Sequence, residues 1–154
     1  MVKIRPFTGH LANPSHLKEI LSFPYDVLNS EEARRLAEGN PKSFLHCNKP
    51  EIDLPADHDP YDEKVYQQGR ANLLSFIEQG LIQKDSSKTM YIYQQTMGAH
   101  TQRALLGLAS NDDYAEKRIK RHEFTLAKKE LDRTKLIATQ NASLEPVFLT
   151  FKHN

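Results

Sequence analysis

The chain has a single cysteine, Cys47, in its 154 residues. It therefore cannot form an intrachain disulfide or a cysteine-based zinc site. Long apolar runs are also missing. No stretch of about 18 apolar residues occurs, and the N-terminal segment holds no run suited to a signal peptide. A soluble, cytoplasmic protein is expected. Strong net charge is absent too: 21 Lys and Arg stand against 20 Asp and Glu, a balance of +1. That gives no global field to draw in nucleic acid or a membrane surface. Neither a Walker-type phosphate loop nor a dinucleotide fingerprint is present. A Gly-x-Ser-x-Gly elbow is missing, as are internal repeats, low-complexity segments and interdomain linkers.

What is present suits one globular domain spanning residues 1–154. The residues are 38% hydrophobic and 27% charged, which is enough for a real core in a chain of this length. The charge is unevenly placed. Glu51 to Glu63 holds six acids and no Lys or Arg, whereas Lys117 to Lys135 holds eight Lys and Arg against three acids. Such asymmetry fits either opposed faces of one domain or a cationic pocket.

Val2–Phe7 alternates apolar and basic residues up to Pro6, which suits an edge strand. A short helix follows Pro14, with Ser15 as its cap. Pro24 restricts Phe23 and sets Tyr25 and Asp26 on a defined loop. Ser30 opens a helix with acids in its first turn, and Gly39-Asn-Pro closes it. Ser43–Cys47 reads as a short buried strand. Asp59 and Pro60 open a long helix whose stripe is Val65, Gly69, Leu73 and Ile77, widened by Tyr61, Leu74 and Phe76. Gly80 ends it. Met90–Thr96 and Thr101–Ala109 form a hairpin across the four residues Met97–His100. Asn111–Tyr114 is turn or helix-start chemistry. Leu126–Gln140 is a helix with Leu131, Leu136 and Ile137 inward, and Pro146–Phe151 is a buried strand. The class is α+β, a small mixed or antiparallel sheet with a central hairpin and packed helices.

The densest chemistry lies between Ile119 and Arg133. His122 and Glu123 stand beside Lys120 and Arg121, and cations keep a neighbouring carboxylate ionised, as a general base requires. Arg133, paired by Asp132, suits a bidentate phosphate contact. The bland alternative for the whole stretch is a charged strand end running into a solvated helix. Nucleic acid is a weaker alternative, because the stretch has one aromatic, Phe124, and no base-stacking motif. Asp57-His-Asp could chelate a cation, but a solvated turn is the simpler reading, and no metal site is expected.

Several blocks occur in a familiar order: Ile4-Arg-Pro-Phe, Pro24-Tyr-Asp-Val-Leu, Gly39-Asn-Pro-Lys-Ser-Phe-Leu-His, Asp59-Pro-Tyr-Asp, Tyr93-Gln-Gln-Thr-Met-Gly, Ile119-Lys-Arg-His-Glu-Phe-Thr, Lys129-Glu-Leu-Asp-Arg and Asn141-Ala-Ser-Leu-Glu-Pro-Val-Phe. Through them the chain resembles the N-terminal part of the bacterial and archaeal family catalogued as domain of unknown function 1015. Typical members are much longer and carry a downstream Asp-Gly-His-His-Arg-type motif reminiscent of ParB- and sulfiredoxin-like nucleotide-binding proteins. That motif is absent here. Members also tend to lie beside serine-biosynthesis genes.

The resemblance implies a small-molecule phosphotransferase of the free-serine-kinase kind. Its nucleotide would be ATP or ADP with Mg, and its partner either a missing C-terminal half or a second copy. On that reading Glu123 and His122 handle the proton and Lys120, Arg121 and Arg133 hold phosphate. Tyr25, Asp26 and Arg5 line the substrate side. A non-catalytic nucleotide-binding or regulatory module is the first alternative, and a nucleic-acid-binding module the second.

Overall fold

The computed structural model describes residues 2–121 and 124–151. Along the chain run β1 (Ile4–Arg5), β2 (His10–Ala12), α1 (Leu17–Ile20), α2 (Ser30–Ala37), α3 (Leu45–Asn48), α4 (Glu63–Glu78), β3 (Ile82–Lys84), β4 (Tyr91–Met97), β5 (His100–Leu106), β6 (Leu108–Ala109), α5 (Asn111–Ala115) and α6 (Ala127–Gln140). Helices combined with small antiparallel strand pairs make the protein α+β. The chain divides into two compact units, Met1–Leu11 with Lys84–Phe124, and Ala12–Gln83 with Thr125–Asn154.

The first unit holds the hairpin. β4 and β5 pair in antiparallel register from Tyr91↔Leu106 to Met97↔His100, so the turn is two residues, Gly98 and Ala99, rather than four. Gly98 has φ 60°, the first-position geometry of a tight turn whose twist matches its strands and which glycine adopts without strain. β1 pairs with β6 through Ile4↔Ala109 and Arg5↔Leu108, as the alternation before Pro6 suggests. Phe7 meets the Tyr91 ring edge-on at 5.2 Å. Asp113, fully buried on α5, ties the unit together. It accepts from the Lys3 backbone N–H at 2.6 Å and from Arg118 Nε and Nη2, both at 2.6 Å.

The second unit is built on α4. Asp62, not Asp59, caps it, accepting from the Lys64 N–H at 2.8 Å; Asp59 instead closes the preceding turn onto the Tyr61 N–H. Pro60 therefore lies before the helix, not at its first position. The buried arc is Val65, Tyr66, Gly69, Leu73 and Phe76, whereas Tyr61, Leu74 and Ile77 are exposed. The stripe is rotated because α4 is covered from more than one side, by α3 and the 3-10 turn Pro50–Asp53 as well as by α6. Ile20, Cys47, Leu73, Phe76, Leu81 and Ile82 form one core cluster, and Ala33, Ala37, Leu45 and Ile52 a second.

Four other expectations are corrected in this unit. Ser43–Cys47 leads into a helix, α3, instead of forming a strand. Asn40 starts the turn by accepting from the Lys42 and Ser43 N–H groups, and a short apolar run cannot by itself separate strand from buried helix. Asn13, not Ser15, caps the 3-10 turn Pro14–His16 that leads into α1, accepting from the Ser15 N–H at 3.0 Å. Pro146–Phe151 is irregular, with Val147, Phe148, Leu149 and Phe151 exposed. Asn141, at φ 53°, stops α6 in the left-handed region. Pro146 removes a backbone donor that a ladder would need. On α6 itself Leu136 is buried, while Leu131 and Ile137 are 57% and 45% exposed rather than inward.

α2 forms as expected and is closed by a reciprocal capping box, in which Asn29 Oδ1 accepts from the Glu32 N–H and the Glu32 carboxylate accepts from the Asn29 N–H. Among the described residues no helix is long and apolar enough to cross a membrane.

Candidate functional site

The most elaborated polar assembly of the second unit is centred on Arg133, on α6. Its Nε and Nη2 donate to Asp132 Oδ2 at 3.0 and 2.8 Å, and its Nη1 donates to the Asn48 carbonyl at 3.1 Å. The guanidinium lies over the Tyr25 ring, 4.2 Å from its centroid. The other carboxylate oxygen of Asp132 accepts from the Tyr66 hydroxyl at 3.0 Å. Tyr66 is 1% exposed, and burial, reinforced by the Asp132 carboxylate, pushes its phenol well above the ordinary range. Asp132 is thus held from both sides. Arg133 and Asp132 are 25% and 16% exposed in their side chains, so this is not the surface ion pair that adjacent charges on a helix suggest.

Arg133 lines an open cavity of about 710 Å³. Ile20, Phe44, Leu136, Ile137 and Leu144 give it apolar walls, and Tyr25, Asp26, Asn48, Gln140 and Glu145 bring polar groups to it. Pro24 sets up the 3-10 turn Tyr25–Val27 that carries Tyr25 and Asp26. Glu145 follows α6 by way of Asn141 and is half-buried. Burial raises the Glu145 carboxyl above the usual range, Arg133 opposes that rise, and the Asp26 charge adds to it. Burial likewise raises the Tyr25 phenol, against the pull of Arg133. Gln140 is 6% exposed. Its Nε2 donates to the Cys47 carbonyl at 2.9 Å, while its Oε1, also buried, has no donor among the described residues.

Of the residues singled out from sequence, the structure brings Tyr25, Asp26 and Arg133 to this one cavity. Arg5, Lys120 and Arg121 belong to the first unit. There Arg5 is exposed on β1, opposite Leu108. Lys120 and Arg121 follow α5, both exposed, and Arg121 Nε donates to the Tyr114 hydroxyl with the guanidinium 5.2 Å from that ring's centroid. His122 and Glu123 lie outside the described residues.

Glu145 and Gln140 join the cavity, and the Tyr66–Asp132 clamp holds Arg133, without being expected from sequence. The Leu-Glu-Pro block around Glu145 was a signal for that residue; nothing local marks Gln140, a polar residue at the end of an amphipathic helix. Elsewhere His58 and Asp62 approach to 3.7 Å. Among the described residues no group of three or more His, Cys, Asp or Glu side chains is placed to hold a metal ion. Cys47 is fully buried, and burial pushes its thiol up to about 12, which leaves it an inert core residue.

Fold and cavity together define an α+β protein with an open, largely apolar cavity whose charged rim is organised by one arginine. The chain belongs to the family described as Protein of unknown function (DUF1015), which matches residues 4–154. Neither a curated protein nor a solved structure gives a match to the chain.

Proposed function

We propose that the protein is a small-molecule phosphotransferase of the free-serine-kinase kind, acting in serine metabolism in the cytoplasm, and that its acceptor amino acid occupies the cavity beside Arg133. One observation carries this reading. Tyr25 and Asp26 on one side and Arg133 on the other, far apart in sequence, line the same cavity. Phosphoryl transfer asks the protein mainly to position an acceptor hydroxyl and to stabilise charge. Arg133 is suited to positioning because three of the five N–H groups of a guanidinium are fixed by Asp132 and Asn48, leaving two for a ligand. Glu123 and His122 enter the proposal as the proton-handling pair on their sequence motif alone, as do Lys120 and Arg121 as phosphate anchors. Incubation with L-serine, Mg and either ATP or ADP should yield phosphoserine by mass spectrometry, and Glu123→Gln should abolish it. Absence of product with both nucleotides, or full turnover by Glu123→Gln, would remove the assignment.

A second reading, a regulatory module that binds without turnover, has its own support. Among the described residues lining the cavity Arg133 is the one cation, and it is already paired with Asp132. Calorimetry showing serine binding with no product under any nucleotide would favour it.

A further inference from the structure

The polar groups of the cavity are unbalanced in a way that phosphate recognition does not explain. A phosphate site is rich in donors and positive charge. Here the Arg133 charge is answered by Asp132, and two more carboxylates, Asp26 and Glu145, line the same space. Glu145 lies close enough to both Arg133 and Asp26 to feel their charges. Against these acceptors, the donors on offer are the two spare N–H groups of Arg133 and the Tyr25 hydroxyl. The complementary ligand is cationic and donor-rich at one end and anionic at the other.

We infer that the cavity selects a zwitterionic α-amino acid through its ammonium group, taken by the Asp26 and Glu145 carboxylates, while the free edge of Arg133 takes the ligand's carboxylate. The inference rests on the reading of this cavity as the acceptor site and adds to it the feature that the site discriminates. An ammonium brings three N–H donors and a positive charge to a wall of acceptors, whereas a hydroxyl brings one donor and no charge. A ligand with hydroxyl in place of ammonium would bring the Asp26 and Glu145 carboxylates no positive charge of its own. Recognition of this kind rejects the analogue lacking the group, because the site's polar atoms are then left unpaired. The Tyr25 ring holds the Arg133 guanidinium flat, and the Asn48 carbonyl fixes its rotation about the last bonds. The carboxylate end therefore meets a prepared partner.

The test compares L-serine with glycerate, its counterpart bearing hydroxyl in place of ammonium, by calorimetry on the full chain. Serine should bind at least tenfold more tightly, and the Asp26→Asn, Glu145→Gln double variant should lose that preference. The double variant is read only after its circular dichroism and melting curve match the parent. If it fails to match, Glu145→Gln and Asp26→Asn are read singly, and each should shrink the serine-to-glycerate ratio. A ratio below tenfold in the parent overturns the ammonium assignment and leaves the acceptor-site reading standing. An undiminished ratio in the variants likewise overturns the roles of Asp26 and Glu145. If neither compound binds, the acceptor-site reading falls and this inference with it.

Discussion

Arg133 engages Asp132, Asn48 and the Tyr25 ring at once, and only a planar guanidinium can do so. Lysine supplies charge but neither the fork nor the flat face. Arg133→Lys should therefore weaken serine binding by roughly tenfold, about 1.4 kcal/mol, measured by calorimetry; an unchanged affinity would mean that the fork does not face the ligand. A second residue gives a prediction in pH. His46 Nδ1 lies 2.6 Å from Asp53 Oδ1 and its Nε2 lies 3.2 Å from the Asn40 carbonyl. With acceptors at both ring nitrogens, the doubly protonated ring is favoured. The bond to Asp53 raises the His46 pKa, burial opposes the rise and the Asn40 carbonyl adds to it. A histidine raised on folding gives its full stabilisation below its unfolded value and loses it as pH climbs through the folded one. The cost of His46→Ala in denaturant melts, about 1 kcal/mol for a partly exposed charged pair, should be greatest near pH 5 and shrink above the folded pKa. A cost that grew with pH would contradict this.

At the level of elements, α4 and α6 bring the clamp together, and Gly69 sets how closely they approach. A Cβ there would stand 2.9 Å from Gln140 Nε2 and from Pro50 Cγ, and 3.1 Å from Leu136 Cδ1. Alanine normally improves a helix interior by up to about 1 kcal/mol over glycine. Here overpacking should reverse the sign, and Gly69→Ala should destabilise by about 1–3 kcal/mol in denaturant melts. Because Gln140 and Leu136 also line the cavity, serine affinity should fall with it. A stabilised Gly69→Ala would show that the two helices can part without loss.

The elements also show what a sequence discloses. α2 and α4 are legible as helices from their acidic first turns and glycine stops, which are local signals, although Asp62 and not Asp59 caps α4. So is the hairpin, whose two β-rich runs flank Gly98. The face that α4 buries is not legible, because the polar end of the inward Tyr66 is satisfied by Asp132, 66 positions away. α3 is not legible for a related reason: Leu45 and Cys47 are buried in either backbone conformation, and the Asn40 turn favours the helix. In the site, Tyr25 and Asp26 could be picked out because Pro24 fixes their loop, and Arg133 because a charge pair marks it. Glu145 depends on burial that α6 and the Tyr25 turn supply together.

For the whole molecule, the family match over residues 4–154 and the α+β architecture describe a protein whose chemistry must be argued from its cavity. A ligand that binds the native state alone stabilises it by mass action, about 2.7 kcal/mol at a hundredfold excess over its dissociation constant. Serine at that level should raise the melting temperature of the parent protein and leave Arg133→Lys, at the same concentration, less protected. Equal protection of both would place the ligand elsewhere. The most direct measurement is an amide chemical-shift titration of the isotopically labelled full chain with L-serine. The account predicts saturable shifts at Tyr25, Asp26, Asn48, Arg133 and Glu145. Shifts confined to Arg5, Lys120 and Arg121, or no saturable shift at all, would contradict it.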